Sequence, residues 1–237
     1  MEYINYMISA TPHPKLVYFA ERHPALGPAE FVERWRRHGA LGMSLPRWRN
    51  ILRYAQCDPV PLPRAGLEPL ACDGVALVWY RSEATRQAHI ADRSGSVTKA
   101  DEAETFARPV ARFALLTDEV VFEPGEPRRR KLFIAIRRAE PLRPTEFLDL
   151  WAGAFGPRLA AAIRTIDPRG GYVQNHARPI APAVAGFEAD CIDEISVKDP
   201  GAFLDLFRAE LARAPLTASV RAILTDETVL YQAADDQ

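Results

Sequence analysis

Nothing in this chain approaches the ~20 consecutive apolar residues that a membrane-spanning helix needs. Neither charge sign dominates: 30 Lys and Arg stand against 31 Asp and Glu, a net −1. The chain therefore lacks the overall basic field that recruits nucleic acid or an anionic membrane. Its three cysteines, Cys57, Cys72 and Cys191, are odd in number and carry no ligand spacing. They read as reduced thiols of a cytoplasmic protein, not as a disulfide framework or metal site. The glycines form no phosphate loop or dinucleotide fingerprint, and no nucleophile elbow is present. Residues 1–14 lack the basic start and long apolar middle of a signal peptide and read as an extra arm.

What the chain has in quantity is itself. Lys15 to Trp35 reads KLVYFAERHPALGPAEFVERW, and Lys131 to Trp151 reads KLFIAIRRAEPLRPTEFLDLW, identical at eight of 21 positions at an offset of 116. Each half closes on one phrase, ALLTDEVVF at 114–122 and AILTDETVL at 222–230. Repeats of this size are whole small domains, not solenoid units. The expected organisation is an arm (1–14), a first domain (15–122), a charged Pro/Gly linker (123–130), a second domain (131–231) and a tail (232–237).

Within the first half, Lys15–Ala20 is an apolar, β-prone strand. Gly27-Pro28-Ala29-Glu30 starts a helix, with proline where its missing N–H costs nothing and Glu30 at the positive dipole end. Phe31, Trp35 and His38 share one helix face. The helix is expected to fray by Gly39 or Gly42. Further strands are expected at 50–57, 73–80 and 112–122, with helix from Ser82 or Glu83 and again near 98–107. The second half predicts strands at 131–137, 170–177, 190–197 and 220–231, and helices at 144–155 and 200–212. The order β-α-β-β-α-β is the ferredoxin-like motif, and two such units can bury their open sheet faces against each other. The fold class is α+β: tandem ferredoxin-like units forming an intramolecular dimeric α/β barrel.

Glu30-Phe31-x3-Trp35-x2-His38-Gly39, with RYAQ (53–56), YVQNH (172–176) and DGVALVWY (73–80), resembles the signature of EthD-domain proteins. The resemblance implies a dimeric α/β barrel around a cavity, with relatives among small monooxygenases, muconolactone-type isomerases and polyketide dehydratases or cyclases. It also implies the oxidoreductase class, since EthD is associated with ether-degrading oxidation. The copies depart from the pattern in opposite ways. His38 faces Ala154 at constant offset, or Phe155 at the family's usual Trp-x3-His spacing, and His176 stands where the first half has Asp58.

Strand alternation puts Tyr172, Gln174 and His176 on one face, matched by Tyr54, Gln56 and Asp58. Such a polar row suits a ligand cavity better than a helix layer; alternatively these side chains bond one another as structural glue. His38 near a helix C-terminus could exchange protons or simply cap the last carbonyls. Of Asp193 and Glu194 one should point inward, either beside His176 as a base or paired to an arginine. His13, His23 and His89 read as solvated, and Trp35 and Trp151 as core.

The resulting expectation is an enzyme with no tightly bound cofactor and no metal, acting on an apolar or aromatic carbonyl metabolite in the barrel cavity. His38 and His176 would be proton-transfer groups, Glu194 or Asp193 a supporting carboxylate, and Tyr54, Gln56, Tyr172 and Gln174 substrate-binding groups. Oxidation fits the resemblance; dehydration, cyclisation or isomerisation fits the residues equally. The competing expectation is a non-catalytic binding protein or an accessory partner of an oxygenase. A homodimer through the arm or a sheet edge is compatible with either.

Overall fold

The computed structural model describes residues 9–11, 13–63, 67–178, 187–213 and 215–234. Most of the expected arm and part of the tail lie outside the described residues. In the N-terminal half, β1 (Ser9–Ala10) precedes β2 (Lys15–Ala20), α1 (Pro28–Met43), a 3₁₀ turn (Pro46–Asn50) and β3 (Ile51–Val60). There follow β4 (Glu68–Pro69), β5 (Gly74–Tyr80), α2 (Glu83–Ala91), α3 (Gly95–Thr105) and β6 (Ala114–Glu123). The C-terminal half runs β7 (Arg130–Arg138), α4 (Pro144–Leu150), a π-helical turn (Trp151–Phe155) and α5 (Gly156–Ile166). It ends with β8 (Gly171–Ala177), β9 (Cys191–Ser196), α6 (Pro200–Ala212) and β10 (Thr217–Gln232). Among the described residues no helix is long and apolar enough to cross a membrane.

The strands close into an eight-stranded antiparallel barrel. The N-terminal half supplies neighbours in the order β6-β2-β5-β3, the C-terminal half β10-β7-β9-β8. The first of these orders is the fourth, first, third and second of that half's main strands, and the other half repeats it. Two seams join them: β3 pairs β10, and β6 pairs β8. Short β1 and β4 add to β6 and β10.

Period-two alternation sorts every strand between the barrel interior and the helix layer. Val17, Phe19, Ala55, Val75, Leu77, Phe133, Ile192 and Ile223, drawn from both halves, form one buried interior cluster. Phe187 stacks on Phe19 with ring centroids 4.2 Å apart. The opposite strand faces pack against helices in two further cores, one per half.

Trp35 and Trp151 are fully buried. The Trp35 ring lies flat over Gly74, where an added Cβ would come within 2.4 Å of it. That contact explains the glycine at the start of β5: the helix tryptophan occupies the side-chain space.

The helix α1 does not fray at its glycines. A Cβ at Gly39 would meet Gln56 and Tyr54 at 3.1 Å, and one at Gly42 would meet the Trp48 ring at 3.1 Å. Both positions let the helix approach the sheet. The helix at 144 is also longer than expected, because the π turn carries it into α5.

Gly74→Ala should therefore cost about 1–3 kcal/mol or more from overpacking. Gly153, with nothing within 4 Å of a built Cβ, should accept alanine without loss. Urea midpoints of the two variants check the contrast, and equal midpoints would contradict it.

Candidate functional site

Among the described residues, the barrel interior is occupied by the apolar cluster. Below its apolar cluster lies a set of mutually paired charges. Lys15 Nζ donates to Glu119 Oε2 and Glu194 Oε2, each at 2.7 Å, and Lys131 Nζ donates to Glu194 Oε1 at 2.6 Å. Arg53 donates to Glu227 at 3.0 Å, and the Trp79 indole N–H reaches Glu119 at 3.2 Å. Burial opposes ionisation of Glu194, but the two lysines hold its carboxyl well below the usual carboxylate range. Glu194 thus points inward as one of the expected alternatives, with lysines rather than His176 as its partners. A cavity of about 440 Å³ at this mouth is lined by Arg53, Lys131, Glu194, Glu227 and the 124–128 connection. Its central charges already satisfy one another.

Tyr54, Gln56, Tyr172 and Gln174 do not face the interior. They face the helices, which corrects the expectation of a barrel-lining polar row. The physical reason is that a helix carbonyl is itself a polar partner. Gln56 Nε2 donates to Trp35 O at 3.1 Å, and Gln174 Nε2 donates to Trp151 O at 3.2 Å. Each glutamine also donates to its own tyrosine, Tyr54 or Tyr172.

These two glutamines reveal how the halves correspond. The built Cβ of Gly39 falls 3.1 Å from Gln56 Nε2, and that of Gly156 falls 3.0 Å from Gln174 Nε2. From tryptophan to this glycine is four residues in α1 and five in the second half. The π turn absorbs the extra residue, as single-residue insertions in helices do. Phe155, not Ala154, therefore takes the place of His38. Phe155 is fully buried, stacked on Trp151 at 3.9 Å and edge-on to Phe207 at 5.6 Å. It fills the space beside it.

In the N-terminal half that space is open. A cavity of about 110 Å³ lies between the sheet and the helices, lined by Tyr18, His38, Arg47, Trp48, Tyr54 and His89 among others. His38 sits inside α1 and does not cap it. Its Nδ1–H donates to Asp101 Oδ2 on α3 at 2.7 Å. Arg34, one turn earlier, donates to the same carboxylate at 3.0 Å. Burial would raise the Asp101 carboxyl, but the hydrogen bonds from Arg34 and His38 outweigh it and leave the group below its ordinary value. A carboxylate on Nδ1 fixes the tautomer and leaves the Nε2 lone pair as the proton acceptor. Nearby, the Trp35 indole N–H donates to Tyr18 Oη at 3.0 Å, and Tyr18 Oη lies 3.4 Å from Tyr54 Oη.

The C-terminal half meets the same needs differently. Trp151 Nε1 donates to Asp193 Oδ1 and Tyr172 Oη to Asp193 Oδ2, both at 3.0 Å. Asp193 stands in for Tyr18 as the partner of the buried tryptophan. His176 Nε2 donates to Gln174 Oε1 at 2.8 Å, where Arg36 serves Gln56 in the other half. Burial lowers the His176 value and so favours its neutral form. His176, Gln174, Tyr172 and Asp193 form one continuous chain of hydrogen bonds, but no described cavity adjoins it.

Several residues in and behind the cleft are not flagged by the sequence pattern, among them Asp101, His89, Arg47 and Trp48. His89 is buried rather than solvated; its Nδ1–H donates to Arg47 O at 3.1 Å, and burial pushes its value down to about 4. Arg47 and Trp48 come from the 3₁₀ turn. The available signal was the phrase PRWRN, which has no counterpart before β8. Among the described residues no three His, Cys, Asp or Glu side chains cluster as a metal site.

Two predictions concern the buried carboxylates. Burial pushes Asp193 up to about 7 against its three hydrogen bonds. Its folded value exceeds the unfolded one, so stability present at low pH is lost as pH rises from about 4 to 7. Relative to wild type, Asp193→Asn should gain about 3 kcal/mol between pH 5 and pH 8; a pH-independent difference in urea unfolding would refute this. Glu194 has the opposite sign, its contribution being present above about pH 4 and lost below it. Glu194→Gln should cost about 3–5 kcal/mol at pH 7 by leaving buried lysines underpaired, with the difference from wild type shrinking on acidification.

In fold, the chain is similar to a proposed monooxygenase from Lactobacillus acidophilus NCFM (TM-score 0.53, 11% identity, covering 94% of this chain and 98% of that one). It is also similar to an anthrone oxidase-like protein (TM-score 0.61, 10% identity, covering 96% and 98%). A mutant chlorite dismutase from Candidatus Nitrospira defluvii is a third such structure (TM-score 0.54, 13% identity, covering 96% and 95%). A search of curated protein sequences finds no match. Residues 23–109, the segment that carries α1, His38, the 3₁₀ turn and Asp101, match the sequence model of the EthD domain.

Proposed function

We propose that this protein is a small-molecule enzyme whose active cleft lies between the sheet and helices of the N-terminal half. The observation that carries this reading is His38, held by Asp101, on the wall of a cavity whose counterpart Phe155 fills. Asp101 orients the imidazole, and Nε2 accepts a proton from an activated carbon acid or hydroxyl and returns it. Tyr54, backed by Tyr18 and Gln56, offers a hydroxyl to a substrate carbonyl. The aromatic and aliphatic walls suit an apolar or aromatic carbonyl metabolite. Proton transfer follows from these residues alone, while oxidation is supported by the EthD match and by the names of the fold neighbours. No tightly bound cofactor enters this reading.

The proposal narrows the earlier set of catalytic groups. His176, Asp193 and Glu194 each have structural partners that account for their positions, so catalysis is assigned to His38, with Asp101 as its positioning residue. We further propose that the two halves arose by duplication, and that one cleft closed when the π turn brought in Phe155.

A second reading is a non-catalytic carrier, favoured by the filled barrel interior and by the modest cleft. Kinetics separate the two. On a substrate found by screening carbonyl acids and phenols, His38→Ala should reduce kcat at least a hundredfold. Asp101→Asn should lower kcat and alter the pH profile while KM stays nearly constant, and His176→Ala should retain most activity. Turnover that survives His38→Ala in a folded protein would overturn the assignment; tight binding without turnover in wild type would favour the carrier.

A further inference from the structure

The same cleft holds polar groups that the proposed proton transfer does not use. Arg47 enters from the 3₁₀ turn and donates through Nη2 to Thr98 Oγ1 at 2.6 Å. Its Nε is buried without a hydrogen-bond partner, and so is the indole Nε1 of Trp48 beside it. Among the described residues Arg47 makes no ion pair. Glu102 also lines the cleft, but its Oε2 accepts from the Val110 N–H at 3.1 Å. Asp101, behind His38, is taken by Arg34 and His38. His89 turns its Nδ1–H to the Arg47 carbonyl, and burial favours its uncharged form. Asp92 and Glu102 act on the Arg47 guanidinium only at longer range, with no carboxylate in ion-pair contact, and an unpaired buried donor is costly. Two such donors on one cavity wall describe a subsite awaiting an acceptor.

We infer that Arg47 and the Trp48 indole N–H form an anion subsite, and that the substrate is a small organic acid whose carboxylate they hold. This inference rests on the cleft being the active site. At about 110 Å³ the cavity is smaller than the ~150 Å³ that encloses a benzene ring, so the carboxylate end, not a whole polycyclic molecule, fits within it. The planar guanidinium would grip the carboxylate and Trp48, Tyr54 and Tyr80 would flank the adjoining carbon skeleton. The acid end would be fixed at one wall while its acidic C–H or O–H faces His38 at another.

The test uses the full chain and three matched probes: benzoate, its neutral isostere benzamide, and acetate. Binding is read by calorimetry and by side-chain shifts of ¹³C-labelled histidine. Both carboxylates should bind and move the His38 and His89 signals, with benzamide at least tenfold weaker. Arg47→Gln should weaken benzoate tenfold or more while leaving benzamide unchanged, and Arg47→Lys should restore part of the loss. Benzoate and benzamide binding the cleft equally, or Arg47→Gln leaving benzoate intact in a folded protein, would overturn the anion subsite but keep the cleft. No shift at His38 with any probe would instead overturn the cleft reading, and the anion subsite with it.

Discussion

The constraint on which the structure depends is that Glu194 is buried inside the barrel between two lysines from different halves. Lys15 belongs to β2 and Lys131 to β7, and Glu194 bonds both. Removing any one member leaves a charge in a nearly anhydrous place, at a cost of about 3–5 kcal/mol. A slip of one residue in any of these strands would turn its charge toward the helices. The triad therefore fixes the register in which the halves meet. It also fills the lower barrel, as Phe19, Leu77, Phe133 and their neighbours fill the rest. Space for a ligand has to be found on the other face of the sheet.

On that face the two halves solve one packing problem in two ways. Each buries a helix tryptophan whose indole N–H needs an acceptor and whose carbonyl accepts from a strand glutamine. In the N-terminal half the indole acceptor is Tyr18, a hydroxyl shared with Tyr54. In the C-terminal half it is Asp193, a buried carboxyl that becomes hard to ionise. One additional residue in the helix then decides the outcome. Without it, His38 sits beside an unfilled space and reaches Asp101; with it, Phe155 swings onto Trp151 and closes the site. On the proposed reading, the two halves differ in function through a single-residue difference in helix winding.

Much of the architecture was legible because strands and helices declare themselves by period. The internal similarity foretold the matching element orders, and the β8 and β9 strands fell within a residue of their expected ends. The glycines at 39 and 42 misled because a glycine that admits a neighbouring ring looks, in sequence, like one that ends a helix. Alternation correctly grouped Tyr54 with Gln56 and Tyr172 with Gln174, but alternation cannot say which face is the lumen. A polar row was assigned to the cavity, whereas its hydrogen-bond partners are helix carbonyls that a sequence does not display. His89 looked solvated on a short helix, and Arg47 and Trp48 looked like loop residues. Their burial arises from contacts between the 3₁₀ turn, α2 and α3, which no local pattern encodes.

The central claim is that ligands enter the proposed helix–sheet cleft of the N-terminal half and not the corresponding place in the C-terminal half. The five histidines are natural reporters, since His38 and His89 line that cleft while His176 caps the corresponding chain in the other half. The most direct measurement is a set of ¹³C histidine spectra recorded while a panel of small aromatic carbonyl compounds is titrated in. The account predicts that any compound that binds shifts His38 and His89 together and leaves His176 in place. Movement of His176 with His38 unchanged would contradict it, and would place the site in the half that Phe155 was held to have closed.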